Sequence, residues 1–155
     1  IEVQALVSPS PLGTPRRTAV GWDTNRLAMI LAVLEARAGV SIGQNDVYLN
    51  VAGGLKVREP AADLAVAAAL LSSLTGTVIP PGTAIFGEIA LSGAIRPVGQ
   101  TEARLKEAQK LGLKEAVIAH AESNGNRGLK VKGLETIMDL VAWSASQDKG
   151  SRRIA

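Results

Sequence analysis

NVAGGLKVREPAADLAVAAALLSSL, residues 50–74, and AIFGEIALSGAIRPVG, residues 84–99, decide the reading of this chain. Asp46–Ala52, which leads into the first stretch, alternates and describes a strand with Val47, Leu49 and Val51 on one face. Gly53-Gly54 then permits a tight bend. Pro60 suits the first turn of a helix running to about Leu74. That helix is apolar nearly all round, so it is expected to be buried. In the second stretch, Thr83–Leu91 and Ala94–Val98 read as a hairpin about Ser92-Gly93.

Outward from this centre the elements alternate. Glu2–Val7 reads as a strand and Arg17–Trp22 as another, separated by a loop holding Pro9, Pro11, Gly13 and Pro15. Asp23 or Thr24 is placed to cap a helix over Asn25–Arg37, with Leu27, Ile30, Leu31 and Leu34 on one face and Gly39 as its stop. Thr101 is expected to cap a helix ending near Leu111. Glu115–Ala119 is an apolar strand, Glu122–Gly128 a polar loop, and Leu129–Val131 a short strand. A last helix spans Leu134 to about Ser144. The pattern predicts an α/β (α+β) class with a mixed sheet. Residues 1–146 are read as one domain and the polar, basic residues 147–155 as a disordered tail.

A chain of 155 residues has room for a substantial core. Apolar residues make up 46% but aromatic ones only 3%, so Ala, Leu, Ile and Val must build it. The absence of cysteine excludes disulfides and thiolate metal sites, and agrees with a cytoplasmic protein. The longest apolar run, Leu64–Leu71, is far too short for a bilayer, and no partnership with a membrane is expected. The chain opens at Ile1 in what reads as mid-strand, so it is taken as a fragment of a longer protein.

The motifs resemble the Lon-type serine-lysine protease domain, in which a Ser-bearing segment opens the apolar helix and a lysine follows the strand pair. The closer resemblance is to the Lon-like domain of the RadA (Sms) family of bacterial DNA repair proteins. Glu2–Val7, Asn25-Arg26-Leu27, Asn50 with Gly53-Gly54, Glu59–Leu64, Phe86-Gly87-Glu88 and Ile95–Val98 carry it. The resemblance implies the Lon-like fold related to the second domain of ribosomal protein S5. At the matching positions the nucleophile is replaced by Ala61 and the lysine by Glu102. A Ser-Lys dyad needs a hydroxyl and an amine that takes its proton, and neither is present. Ser72 and Ser73 lie about 16–18 Å further along the helix axis and cannot restore the geometry. The expectation is therefore a chain without a catalytic residue, serving as a scaffold.

What the resemblance implies for the whole protein is a DNA-dependent ATPase with a zinc motif, using ATP and Mg. It would assemble as a hexameric ring on DNA and act in branch migration beside a RecA-type recombinase. No residue for ATP, Mg or zinc is assigned within this chain. Gly53-Gly54-Leu55 lacks the phosphate-loop spacing. His120 is the sole histidine and is read as structural or as a surface residue, with no metal spacing around it. Two rivals remain. One is the Lon-like domain of magnesium-chelatase-like ATPases involved in DNA uptake, which has a similar helix and hairpin. The other is an active Lon-family peptidase.

The net charge is +3 and the pI about 9.5, which permits nucleic-acid contact without demanding it. Arg16, Arg17, Lys56, Arg58 and Arg104 are the candidate DNA contacts, provided the fold gathers them on one face. Trp22, Tyr48, Phe86 and Trp143 are scattered, which argues against a single-strand stacking platform. Asp63 is read as a carboxylate favoured by the helix N-terminus, and Glu59 and Asp63 as able to hold Arg58 or a neighbouring subunit.

Overall fold

A computed structural model describes residues 1–11, 13–124 and 128–152, with residues 149–152 described by their backbone alone. The first sheet has the order β1-β3-β2. Strand β1 (Val3–Pro9) runs antiparallel to β3 (Asn45–Val51), and β2 (Arg17–Val20) runs parallel to it. The alternation read from Val47, Leu49 and Val51 is what the sheet uses: all three are buried. On the opposite face Leu6, Tyr48 and Val20 stay exposed.

Helix α1 (Thr24–Ala38) is capped by Asp23, whose carboxylate accepts from the Arg26 N–H, and ends at Gly39 in the left-handed region. Helix α2 (Asp63–Thr75) lies under β1, buried along most of its length through Leu64, Val66, Ala67, Ala68, Leu70 and Leu71. Pro60 does open this segment, but as a 3-10 turn over Pro60–Ala62 that precedes the α-helix proper. Alanines at 61, 62, 67 and 68 keep side-chain bulk small where the helix meets the sheet and its neighbours.

The second sheet, β4-β7-β8, is parallel throughout. It comprises β4 (Thr83–Ile85), β7 (Glu115–Ala119) and β8 (Lys130–Leu134). One face, with Val117, Ala119 and Leu134, joins the main core beside α4 (Ile137–Arg152). The other, with Ala116 and Ile118, packs with Phe86 and with Leu105 of α3 (Thr101–Lys110).

Four expectations change here. The 83–91 strand is two pieces: β4 pairs with β7, while β5 (Glu88–Ile89) pairs with β6 (Ile95–Arg96). The break falls at Phe86-Gly87, where the chain leaves β7 and the Gly87 N–H donates to the Ala61 carbonyl (2.8 Å). A side chain at Gly87 would press on Leu64 and Ile95, each 3.2 Å from the added Cβ. The cap of α3 is Gln100, in the left-handed region, rather than Thr101. Thr101 is the first helical residue, and its hydroxyl bonds the Val98 carbonyl and Glu122. Leu134 ends β8 instead of opening the last helix. That helix continues through Arg152, so residues 147–152 are helical where a disordered tail was expected; residues 153–155 lie outside the described residues. Part of the expected loop 122–128 also lies outside them.

Candidate functional site

The turn into α2 is where a Lon-type nucleophile would stand. Ala61 is 4% exposed there, with a methyl group in place of an oxygen. The local amides are already used. The Ala62 N–H donates to the Glu59 carbonyl and the Leu64 N–H to the Gly87 carbonyl (each 3.1 Å). The Asp63 N–H donates to the Pro60 carbonyl. Glu102 sits on the first turn of α3 and is exposed. Its helix reaches the Ala61 segment through Arg104, whose guanidinium pairs with Glu59, donates to the Gly99 carbonyl and lies 5.8 Å from the centre of the Phe86 ring. The elements that would present a nucleophile and a base are therefore joined by an ion pair, with no hydroxyl at one position and a carboxylate at the other.

Asp63 is the most buried charged residue in the described chain, at 1% exposure. Its position at the start of α2 favours a carboxylate, as the sequence suggests, but its partner is Arg26 of α1 rather than Arg58. The Arg26 Nε and one terminal nitrogen donate to the two Asp63 oxygens in a fork. The same Asp63 Oδ2 accepts the Ile89 N–H at 3.0 Å. One carboxylate thus ties α1, α2 and β5 together. The hydrogen bond to Asp63 is the main influence raising the Arg26 guanidinium above its ordinary pKa, reinforced by the charges of Asp63, Glu88 and Asp23 and opposed by desolvation. An acid in an otherwise apolar helix signals that a cation must come from elsewhere. The sequence does not say which one, because the partner lies 37 positions away.

The five basic candidates come from three places in the fold: the start of β2, the segment after Gly54, and α3. Arg104 is committed to Glu59, and Arg17 donates to the Asn45 carbonyl. Arg16 is exposed beside it, its N–H bonded to Asp46 (2.7 Å). These two arginines mark the start of β2. Lys56 and Arg58 lie past its other end, where the Val57 N–H donates to the Gly21 carbonyl (2.8 Å); the four residues of β2 span about 13 Å. Both are exposed and line an open groove of about 610 Å³ with Trp22, Asp23, Arg26 and Met29. Gly21 permits this approach: its φ is +78°, and an added Cβ would stand 2.3 Å from the Leu55 carbonyl oxygen.

His120 is exposed, 3.8 Å from Glu135. No group of three metal-ligating side chains occurs among the described residues. Among them, too, no helix is long and apolar enough to cross a membrane.

This arrangement, a mixed α/β fold whose buried helix opens on Ala61, agrees with the family found by comparison. Residues 13–122 match the model described as subunit ChlI of Mg-chelatase, and the chain belongs to that family. The individual relatives carry a different name. The chain is 53% identical over 154 residues to the DNA repair protein RadA of Brucella abortus, covering 98% of this chain and 33% of that protein. It is 54% identical over 123 residues to RadA of Rickettsia bellii (79% and 28%), and 45% identical over 137 residues to RadA of Bacillus subtilis (88% and 30%). The chain thus spans about a third of the length of these relatives. The resemblance drawn from the Glu59–Leu64 and Phe86–Val98 motifs holds.

Proposed function

We propose that this chain is the non-catalytic, Lon-like part of a RadA-type DNA repair ATPase, and that it serves as the scaffold on which a hexameric ring assembles. The observation that carries the reading is the state of the Ala61 segment. Ala61 is buried, the N–H groups of Ala62, Asp63 and Leu64 are bonded to the chain's own carbonyls, and the segment is braced by Glu59–Arg104 and Arg26–Asp63. These contacts preserve the fold of a peptidase site without its chemistry, and the relatives named for DNA repair supply the context.

In this reading the ATPase site, with its ATP and Mg, and the zinc motif belong to the rest of the protein. Branch migration and the encounter with a RecA-type recombinase are properties of the whole ring in the cytoplasm. DNA contact by this chain is subsidiary. It is summed over exposed cations such as Arg16 rather than made at one built track, since two of the five candidates are already engaged.

Native mass spectrometry of the chain across micromolar concentrations tests the scaffold. Species at multiples of 16.0 kDa, up to six copies, are expected. A monomer at every concentration overturns it. A fluorophosphonate serine probe is expected to leave the chain unlabelled, whereas labelling would restore the peptidase reading.

A further inference from the structure

The groove between the start of α1 and the segment Leu55–Glu59 has the properties of a peptide-docking edge, which goes beyond the scaffold role. Leu55 and Glu59 are both extended (φ/ψ −76°/149° and −84°/124°). Between them Val57 is half-buried against the main core and gives its N–H to Gly21, at the end of β2. That one hydrogen bond ties the segment to the end of β2. Backbone groups alternate in direction along an extended chain. The N–H groups of Lys56 and Arg58 donate to no other backbone group among the described residues. Their side chains share the face opposite Val57. Neither has an ion-pair partner among the described residues.

The walls of the groove select the occupant. Met29, 43% exposed, lines the groove and offers apolar contact, and Leu55, 50% exposed, precedes Lys56 in the chain. Arg26 presents a guanidinium already neutralised by Asp63. Asp23 is the one acid in the lining, and it caps α1. The surplus is two cations, spaced two residues apart on a backbone edge with free donors. A phosphodiester track asks for a longer row of cations and makes no use of an exposed strand edge or of apolar margins. An added peptide strand uses all three features, through main-chain pairing and alternate side chains.

We propose that this edge binds a short extended acidic segment of a partner protein. Carboxylates at alternate positions would face Lys56 and Arg58, and an apolar side chain would rest against Met29 and Leu55. The test is fluorescence anisotropy of the 155-residue chain with three tagged probes. These are an acetylated heptapeptide alternating glutamate and leucine, the same peptide with glutamine for glutamate, and a twenty-nucleotide oligothymidylate. Binding of the acidic peptide is expected, weakened at least tenfold by glutamine in the peptide and by K56E with R58E in the protein. Circular dichroism keeps loss of fold out of that result. The proposal is overturned by retention of only the oligonucleotide, by no binding of any probe, or by acidic-peptide binding that the double variant leaves intact. Monomeric behaviour of the chain would remove the scaffold reading without touching this one.

Discussion

The two stretches on either side of Glu59 treat charge in opposite ways. Toward α2, Asp63 is buried and held by a guanidinium fork and a backbone amide, and Glu59 is held by Arg104. Toward β2, Lys56 and Arg58 stand in solvent without ion-pair partners among the described residues. Burial explains the Asp63 half of the contrast, whereas Glu59 is itself exposed and meets Arg104 at the surface. A carboxylate withdrawn from water must be fully paired, whereas an exposed ammonium or guanidinium gains little from a partner. The Asp63 corner is thus the densely paired stretch, and the exposed cations lie five and seven residues before it along the chain.

Substitutions can break that contrast in graded steps. Arg26→Ala should be the most damaging, destabilising by about 3–5 kcal/mol in denaturant unfolding, because it strands a buried carboxylate. The double change R26M with D63L should recover most of the loss; failure to recover would mean that the fork does more than satisfy buried charge. Next, Gly21→Ala is expected to cost about 2–3 kcal/mol, combining a left-handed backbone with a clash against Leu55 and Val51. It should also displace the Lys56–Arg58 amide resonances in a heteronuclear correlation spectrum. Asp23→Ala removes the cap of α1 and should cost about 1 kcal/mol in thermal unfolding. Smallest of all, K56E with R58E should stay within about 0.5 kcal/mol of the parent, since no described contact is lost. A larger effect would place these cations in the stabilising network and erase the distinction between the two stretches.

The sequence made the first half of the fold legible where local signals were strong. Asp23, the i, i+3, i+4 pattern of Leu27 to Leu34, and Gly39 bracket α1 nearly to the residue. Alternation through Val47, Leu49 and Val51 did the same for β3. It was less informative where tertiary contacts override local pattern. Nothing in the 83–91 run says that the chain leaves β7 at Gly87, whose N–H bonds the Ala61 carbonyl 26 positions earlier. The last helix was misplaced because Leu134 satisfies a helical period and a strand equally well. Of the candidate site, the residue types at Ala61 and Glu102 are readable in the sequence, but the ion pair that links their two elements, Glu59–Arg104, is not. The partners of Arg17 and Arg104 are not readable there, since the Asn45 carbonyl and Glu59 lie far from them along the chain.

The Asp63 carboxylate has one further consequence, in time rather than in free energy. Its partners reach it across 37 and 26 residues, so the contact closes only after α1, α2 and the β5–β6 hairpin have been brought together. Interactions completed after the folding barrier slow escape from the native state without speeding arrival. Stopped-flow kinetics of Asp63→Asn should therefore show faster unfolding at a nearly unchanged folding rate. This pin would then act as a latch that sets how long the domain persists once folded.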